Sequence, residues 1–564
     1  MERWRDADSR QRAQLILNRW NELQNRRAPF FRVWQDVSKY ISPFSGRFNV
    51  NNHGENRDQT FILDSEATHD VKILSSGLMT GASSPAAKWF KIEPASELLA
   101  DDYAVDEWCA NVEKVLFKTF HASNTYNTLH QLYVELVLFG TAADIIYEDA
   151  EHVIQHHLLT AGEFCVDTNH KGEIDTLYRN FQLSTAQAVK AFGLEILPKE
   201  IQTAYHNGEL STYWEFLHAI EPRIDRDYNS AKATDKAWGS YYLALNSSEQ
   251  NILRESGFDY FPAIVPRWEV LGADAYGTSP AIEQLPDIKQ LMQETLRKAE
   301  LIEHYTEPPV QAPSSARQNP IMLKPGSVNF TTSTGSEQQI RPITQSVGDL
   351  NAIVQDIAAI KQSIRQGFFV DLFMIVQQTA GDRRTTVEIN ALKQEQMLTL
   401  GSVMERIQNE CLGALVSITT RILYGSRKIP PAPLQMQKAG FNAEFTSVLA
   451  QAQKSVDINN IDRFTSAMGA AAQLMPEIID RIDTDGYVDE YRERLGINPR
   501  MLRSKDDADK IREQRAQAQQ AQQQQSDDMI NAQTAEQVAQ AQKTGAEASL
   551  AMQQLDVLGG GTMI

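Results

Sequence analysis

The chain has 564 residues, of which 42% are hydrophobic and 8% aromatic, so most of it can form packed cores of roughly three or four domains. Its 54 Lys and Arg against 73 Asp and Glu give a net charge of −19, which excludes a protein that wraps nucleic acid on a basic surface. No apolar run approaches the roughly 18 residues of a membrane span, and the polar start MERWRDADSRQR lacks a signal-peptide core, which favours a cytoplasmic protein.

The first 140 residues predict helices with one short strand between them. Apolar residues at helical spacing predict a helix over residues 9–40, which Pro29 would kink or split. A second helix is predicted over residues 64–78, and a short strand around residues 89–90. Two amphipathic helices are expected within residues 104–140.

The pattern changes to short alternating runs after residue 140, which predicts a block rich in β-strands. The sequence Asn-His-Lys-Gly at residues 169–172 is typical of a hairpin turn. A short helix is expected to end at Gly193, and a further strand block runs from Tyr213 to Val265. The first half of the chain is therefore predicted to be α+β.

From residue 280 the predicted helices become longer. Ser279 is a candidate N-cap with Pro280 at the first helical position, and this helix would bend near Pro286. A segment rich in Pro, Ser and Thr at residues 307–344 separates it from the next helices. These are expected at 349–373 and 387–424. The order predicts an αα-hairpin whose tip is a small irregular module.

The last part of the chain is predicted to be helical from Phe445 to Leu495. Residues 508–555 are rich in Gln and Ala, with good helix propensity but no lasting apolar seam. This segment is either a polar helix held by neighbouring copies or a largely disordered tail.

The sequence offers weak candidates for chemistry. His152, His156 and His157 could share a metal if they were helical, but the alternating pattern around them favours a strand with surface polar residues. The glycines near residue 272 form neither a dinucleotide fingerprint nor a P-loop, and no nucleophile elbow is present. Three scattered cysteines make neither a disulfide framework nor a zinc site. The sequence therefore predicts no enzyme, no cofactor and no metal.

Four cations in the second half form a possible contact for phosphate. Lys361 and Arg365 lie four residues apart on one predicted helix, and Arg383 and Arg384 lie in the loop after it. They are either ordinary surface charge or a small basic contact on an acidic protein, which would bind phosphate weakly and without sequence preference.

An ordered set of stretches covers roughly residues 10 to 430, and no member of it is catalytic. It consists of Trp34-x-x-Val37-x-x-Tyr40-Ile41-x-Pro43, GLMTGASSPAAKWFKI at 77–92, FGTAADIIYED at 139–149, RWEVLGADAYGTSPAIEQLPDIKQL at 267–291, EPPVQAP and LKPGSVNF within 307–330, and TTVEINALKQEQM at 385–397. In this order the stretches resemble the portal, or head-to-tail connector, of short-tailed bacteriophages.

This resemblance implies a mixed α+β fold that is mainly helical. It implies a wing at residues 1–278, stem helices at 279–304 and 346–373, a clip at 305–345, a tunnel loop at 374–386, a long wing helix at 387–426, a helical crown at 427–505 and a C-terminal tail or barrel at 506–564. Some apolar residues of the stem are expected to contact neighbouring subunits and not their own chain. They are Leu291, Leu296, Ile302, Ile353, Ile357 and Ile360.

The resemblance also implies a function. Such a chain would form a ring, usually a dodecamer, at one vertex of the capsid in the virion, after assembly in the host cytoplasm. Double-stranded DNA would pass through the ring without sequence recognition. Partners would be the terminase, tail adaptor or nozzle proteins, and the major capsid and scaffolding or core proteins, with no membrane. The alternative is another virion structural protein, such as an internal core or ejection protein.

Finally, the resemblance gives roles to particular residues. Gly272, Tyr276, Gly277, Ser279 and Pro280 would form the wing-to-stem junction, where the glycines permit backbone turns and the tyrosine holds the turn by packing. The clip would include Pro308, Pro309, Pro325 and Gly326. The channel-facing cations would be Lys361, Arg365, Arg383 and Arg384, at the narrow part of a largely acidic channel.

Overall fold

The structure is a computed structural model, and it divides into two compact units, Met1–Lys454 and Ser455–Ile564. It describes residues 8–48, 59–96, 103–223, 226, 230, 232–247, 249, 251–306, 310–311, 341–342, 350–373, 400–434, 436, 440–446, 461, 464–469, 486–488, 491 and 505–558.

The first unit combines helices with small antiparallel sheets. Its named helices are α1 (Ser9–Tyr40), α2 (Glu66–Ala82), α3 (Tyr103–Ala122), α4 (Thr125–Phe139), α5 (Thr185–Phe192), α6 (Lys199–His206), α7 (Pro280–Glu283), α8 (Leu285–Thr306), α9 (Leu350–Gly367) and α10 (Ala414–Gly425). Its strands are β1 (Phe90–Pro94), β2 (Ala143–Asp149), β3 (Val153–Leu159), β4 (Phe164–Thr168), β5 (Ile174–Ser184), β6 (Tyr213–Pro222), β7 (Trp238–Ala244), β8 (Ile252–Phe258), β9 (Ala263–Ile264), β10 (Val310–Gln311), β11 (Arg341–Pro342) and β12 (Phe441–Phe445). The predicted mixed α+β fold is confirmed.

The first helix, α1, joins two cores. Its N-terminal half packs on a sheet through Trp20 and Leu23, and its C-terminal half enters the main core through Trp34. Trp34 Nε1 donates a hydrogen bond to the Phe139 carbonyl at 2.8 Å. The expectation that Pro29 splits this helix is wrong, because α1 runs through Pro29 for 32 residues. Burial on both sides of the proline offsets the backbone hydrogen bond that proline cannot make.

The main core lies among α2, α3, α4 and β1. Its largest fully buried side chains include Trp89, Phe90 and Phe120, whose rings contact one another. The helices predicted over 64–78 and 104–140 are present as α2, α3 and α4. The strand expected near residues 89–90 is β1, which starts at Phe90.

The predicted β-rich block forms two sheets. One has five antiparallel strands in the order β4-β5-β6-β7-β8, and the other has three in the order β3-β2-β9. The predicted hairpin turn joins β4 to β5: the Asn169 side-chain oxygen accepts hydrogen bonds from the backbone N–H groups of Lys171 and Glu173 at 2.8 and 3.1 Å. One face of the five-stranded sheet packs on α1.

The predicted hairpin of long helices is present in part. Gln284 separates α7 from α8, close to the bend expected near Pro286. The last turn of α9 lies against the beginning of α8, since a Cβ on Gly367 would meet the Gln284 side chain and Ser363 Oγ donates to Asp287 at 2.9 Å. The two helices are therefore antiparallel. Between them the structure describes only the short antiparallel pair of β10 and β11.

The stem residues divide between the core and the surface. Leu291, Ile357 and Ile360 are buried within the chain, so these three make contacts inside their own subunit. Ile353 is partly buried against the same core. Leu296 and Ile302 expose 47% and 41% of their surface, so these two remain candidates for a contact with another copy.

The helix that ends as α10 begins within the described residues at 400 and contains a π-helical stretch, Ile407–Gly413. The chain then returns to the main core as β12, which pairs antiparallel with β1. The prediction of a helix starting at Phe445 is wrong at its first residue, because Phe445 ends β12 and stacks on Trp89. Backbone pairing with a strand some 350 residues earlier is not visible in local sequence pattern.

The second unit contains α11 (Lys505–Leu558), a single helix of 54 residues. Its described side chains are almost all exposed, in agreement with the lack of an apolar seam in the sequence. The Gln-rich segment is helical in the structure, and its support by neighbouring copies stays a prediction.

Candidate functional site: the junction and the helices that follow it

Residues 267–279 connect β9 to α7 and lie beside the C-terminal end of α4. Two isolated bridges hold them: Thr141 pairs with Arg267, and Glu269 pairs with Thr278. The Gly277 N–H donates to Thr141 Oγ1 at 2.8 Å, and the Trp268 N–H donates to the Gly140 carbonyl at 2.9 Å. The junction is thus bound to the segment that leaves α4.

Two glycines meet backbone to backbone at this crossing. A Cβ on Gly277 would lie 2.6 Å from the Gly140 carbonyl oxygen, and a Cβ on Gly140 would lie 2.4 Å from the Gly277 oxygen. Gly272 has a φ of +60°, as expected for a turn, but no atom lies near its Cβ position. Gly277 has no positive φ, so it serves a close approach of two backbones rather than the predicted turn.

Tyr276 packs the junction against the main core. Its ring contacts Phe30 and Trp34 at centroid distances of 5.2 and 5.4 Å, and its hydroxyl accepts a hydrogen bond from the Val166 N–H at 3.0 Å. Burial raises the pKa of the Tyr276 hydroxyl well above its usual range, so it stays neutral. The phenol therefore links α1, β4 and the junction.

Ser279 caps the helix pair at its start, as predicted. Its Oγ accepts a hydrogen bond from the Ile282 N–H at 3.1 Å and donates one to the Leu138 carbonyl at 2.9 Å. The side chain is fully buried, with Pro280 at the first helical position. One hydroxyl thus satisfies an unpaired group of α7 and one of α4.

Ser279→Ala should lower the free energy of unfolding by about 1–2 kcal/mol, because a helix cap is lost and the Leu138 carbonyl loses a donor. Ser65→Ala is the matched control, since Ser65 precedes α2 without a side-chain capping bond. It should change stability by less than about 0.5 kcal/mol. Urea denaturation of both variants measures the difference, and equal losses would show that the Ser279 cap is without effect.

A buried ion pair ties the junction to the π-helical stretch. Arg267 Nη2 lies 2.7 Å from Glu410 Oε1, and Arg267 Nε lies 3.2 Å from Glu410 Oε2. The guanidinium also donates to the carbonyls of Gly172 and Asp274, and Arg406 shares the carboxylate at 3.1 Å. Arg267 opens the junction sequence, but its partner is 143 residues away, so sequence reasoning missed Glu410.

Lys361 and Arg365, predicted to face DNA, lie on the side of α9 that meets α2. Lys361 Nζ is 2.7 Å from Asp64 and 3.4 Å from Glu66, and Arg365 Nε is 4.0 Å from Glu66. The carboxylates raise the pKa of Lys361 against the opposing effect of its partial burial. The carboxylates of Asp64 and Glu66, at the start of α2, thus neutralise much of the positive charge of Lys361 and Arg365 within the chain.

Asp70 is buried behind these pairs. Neither of its carboxylate oxygens has a hydrogen-bond partner among the residues that the structure describes. Burial raises the pKa of Asp70 to about 7, with Glu66 and Asp371 adding to the rise and Arg365 and Lys361 opposing it. The carboxyl is therefore about half protonated near neutral pH.

The folded chain binds this proton more tightly than the unfolded chain does, since the pKa falls to its ordinary value of 3.8 on unfolding. Stability should therefore fall as pH rises from about 4 to about 7, and stay level above that range. Asp70→Asn should remove this slope and be more stable than the parent at pH 8. Asp36→Asn, which removes an exposed carboxylate on α1, should retain it. Parallel slopes in denaturation midpoints for Asp70→Asn and the parent would contradict the assignment.

Several predicted site residues lie outside the part of the chain that the structure describes. They are Pro308, Pro309, Pro325 and Gly326 of the clip, and Arg383 and Arg384 of the tunnel loop. Their assignments stay predictions.

The histidines do not act together. His156 is buried on β3, where its Nδ1 lies 2.6 Å from Asp144 Oδ2 and its Nε2 lies 2.9 Å from Thr125 Oγ1. His152 lies before β3 and is largely exposed. Within the described ranges, no group of three or more His, Cys, Asp or Glu residues could hold a metal ion. His156 instead links α4 to the three-stranded sheet.

The model of the bacteriophage head to tail connecting protein family matches residues 13–502. This match spans most of the sequence, so the chain belongs to that family. A head to tail connecting protein is a structural component of the virion at a capsid vertex, and this is the role of the chain. In the described parts of the sequence, no helix has the length and apolar character needed to cross a membrane.

Two curated relatives agree with the family. The chain is 38% identical over 507 residues to a probable portal protein of Bordetella phage BPP-1, which covers 90% of this chain and 91% of the relative. It is 33% identical over 506 residues to the portal protein of Salmonella phage epsilon15, covering 89% and 90%. A chain of a gene transfer agent virion aligns over 77% of this chain and 90% of its own length with 11% identity and a TM-score of 0.36, which is too weak to support a conclusion.

Proposed function

We propose that the chain forms a closed ring, a dodecamer, at one capsid vertex, with a channel for DNA on its axis. The observation that carries this proposal is the match to portal proteins along nine-tenths of the chain, which includes the junction and both helices of the α8–α9 pair. In this proposal residues 1–278 and 387–426 form the wing, 279–304 and 346–373 the stem, and 305–345 the clip. Residues 374–386 form the tunnel loop and 427–505 the crown, apart from β12, which pairs with β1 of the wing.

The ring serves as a structural platform in this proposal and not as an enzyme. Its clip would contact the terminase, which supplies ATP hydrolysis for packaging, and later the tail adaptor or nozzle proteins. Major capsid and scaffolding or core proteins would surround the ring. Support comes from the two curated relatives, which are both portal proteins by name. The net charge of −19 also fits a channel through which DNA moves without lasting phosphate contacts.

The mass and shape of the purified chain test this function. Light scattering gives the mass as a multiple of the 63.5 kDa of one chain, and electron-microscope class averages show whether a hollow ring exists. A hollow ring of about a dozen subunits supports the proposal. A chain that remains a monomer even with its scaffolding and tail proteins would favour another virion role, such as an internal core or ejection protein.

We also propose that Arg383 and Arg384 touch DNA in the channel, while Lys361 and Arg365 act together with them or stabilise the α2–α9 contact. The pairs with Asp64 and Glu66 favour the second role for Lys361. Arg383→Gln with Arg384→Gln should leave the ring and its melting temperature unchanged and lower the fraction of particles that retain DNA, because phosphate contacts are lost.

Lys361→Gln with Arg365→Gln is the charge-matched comparison for this experiment. If those two residues stabilise the α2–α9 contact, their removal should lower the melting temperature of the ring and leave DNA retention unchanged. If they face DNA, retention should fall at unchanged melting temperature. Unchanged retention in the Arg383 and Arg384 double variant would remove the proposed contact.

A further inference from the structure

A row of polar side chains crosses one face of the five-stranded sheet. Arg179 on β5 lies directly opposite His218 on β6, which lies opposite Tyr242 on β7, which lies opposite Arg254 on β8. Directly paired residues project from the same face of a sheet, so the four side chains lie side by side. We call Arg179, His218, Tyr242 and Arg254 the polar row.

Apolar clusters enclose the polar row along the strands. On one side, Phe181 and Phe216 pack with the α5 side chains around Phe192. On the other side, Leu177 and Ile220 belong to the main core. A polar strip between two apolar clusters has to satisfy its own charges, since neither flank offers partners.

Arg179 in this row lacks a counter-charge. It exposes only 7% of its surface, and its Nε and Nη1 are buried without a hydrogen-bond partner among the residues that the structure describes. Its guanidinium lies over the Phe181 ring at 4.5 Å. A buried guanidinium without a carboxylate or carbonyl partner is costly, and a bound water or anion offsets this cost.

The other two buried arginines of the described residues have hydrogen-bond acceptors, although Arg27 Nε, like Arg179 Nε, has none. Arg27 donates to the carbonyls of Gly162 and Phe164 at 2.9 and 2.6 Å. Arg267 pairs with Glu410 and two carbonyls. The three arginines are buried to a similar extent, so Arg179 differs from the other two only in its neighbours.

His218 lies directly opposite Arg179 on β6. His218 exposes 1% of its surface, stacks on Tyr242 at 4.0 Å, and uses Nε2 for a 2.9 Å hydrogen bond with Ser240 Oγ. Its Nδ1 has no partner among the described residues. When Ser240 donates to Nε2, His218 Nδ1 carries a proton that is free to be donated.

The hairpin of β2 and β3 lies close to this row, since its Tyr147 and His157 interact with Tyr242 and Arg179. His157, paired with Ile145, projects from the same face of that hairpin as Tyr147. Burial, and next the charge of Arg179, lowers the pKa of His218 well below its usual range. The same two causes lower the pKa of His157 to about 4. Asp144 acts on His157 in the opposite direction; its Oδ2 is bonded to His156, and its Oδ1 has no partner among the described residues. Both histidines are therefore neutral near pH 7, and the positive charge here comes from Arg179 and Arg254.

We propose that Arg179, His218 and Tyr242 bind a small oxyanion between the five-stranded sheet and the β2–β3 hairpin. The ligand class is a phosphate, a sulfate or a carboxylate group, because each offers several acceptor oxygens to the planar fork of an arginine. Arg254 is exposed at the β8 end of the polar row, the side from which the anion reaches Arg179.

The test follows the melting temperature of the full-length protein in inorganic phosphate, in acetate and in sodium chloride at matched ionic strength. A ligand that binds the folded state alone stabilises it in proportion to the logarithm of its concentration. We expect phosphate or acetate to raise the melting temperature by about 2 °C or more above chloride between 1 and 100 mM. A rise in phosphate supports a free oxyanion as occupant, and a rise in acetate alone supports a carboxylate of a protein partner.

Arg179→Met should abolish the anion-specific rise and make the protein more stable in chloride, since an uncompensated buried charge is removed. Lys190→Gln, which removes an exposed charge on α5, should retain the rise. If Arg179→Met fails to fold, Tyr242→Phe with Arg254→Gln provides the second variant, and the rise should shrink in it. Equal melting temperatures in all three salts for the parent, or an undiminished rise in the variants, would overturn the proposal.

Discussion

Gly277→Ala should be among the most destabilising single-methyl changes in the chain, costing about 3 kcal/mol or more, because backbone atoms on two sides cannot move away. The new Cβ would lie 2.6 Å from the Gly140 oxygen and 2.9 Å from the Glu269 oxygen. Tryptophan fluorescence during urea denaturation measures the loss, since Trp34 and Trp268 are buried close to this crossing.

Gly272→Ala separates the effect of the close approach from that of backbone conformation. Gly272 has the positive φ that L-residues disfavour, but its Cβ position is open. We expect a cost of about 1 kcal/mol for this variant. If Gly272→Ala cost as much as Gly277→Ala, the contact between the two backbones would not explain the requirement for glycine.

Glu410→Gln should cost about 3–5 kcal/mol, because it leaves the buried charge of Arg267 without its counter-charge. The amide keeps the shape of the side chain, so the loss reports on charge and not on packing. Denaturation midpoints of the variant and the parent measure this loss. Tyr276 and Trp268 lie on the same junction. The lower denaturation midpoint should therefore appear first in the fluorescence of these two residues.

Arg406→Gln is the control for this second prediction, since Arg406 contacts the same carboxylate from a more exposed position. It should cost less than about 1 kcal/mol. The double variant Arg267→Met with Glu410→Leu should recover part of the loss of Glu410→Gln, because no isolated charge remains. A double variant less stable than Glu410→Gln would show that the hydrogen bonds of Arg267 to the Gly172 and Asp274 carbonyls dominate.

These two contacts explain how the junction can transmit force in the proposed ring. Gly277 contacts the backbone of the segment that leaves α4, and Arg267 forms an ion pair with Glu410 in the π-helical stretch that precedes α10. The α8–α9 pair therefore starts from a point that is bound on two sides. A rigid start is what a helix pair needs if it lines a channel through which DNA moves.

Features that depend on residues close together in the sequence were predictable, whereas contacts between distant segments were not. Periodicity and turn chemistry determined α1, the β4–β5 hairpin, the Ser279 cap and the break near Pro286, because each depends on residues a few positions apart. The family was also visible in the sequence as an ordered set of stretches.

The tertiary structure alone decided the contacts between distant segments. β12 pairs with β1, Glu410 compensates Arg267, and Gly277 meets Gly140, and no local pattern marks these partners. Lys361 shows the same limit, since its helix spacing was correct while its carboxylate partners on α2 were not foreseen. Local propensity acts within one element, whereas these contacts form only when the chain has brought two elements together.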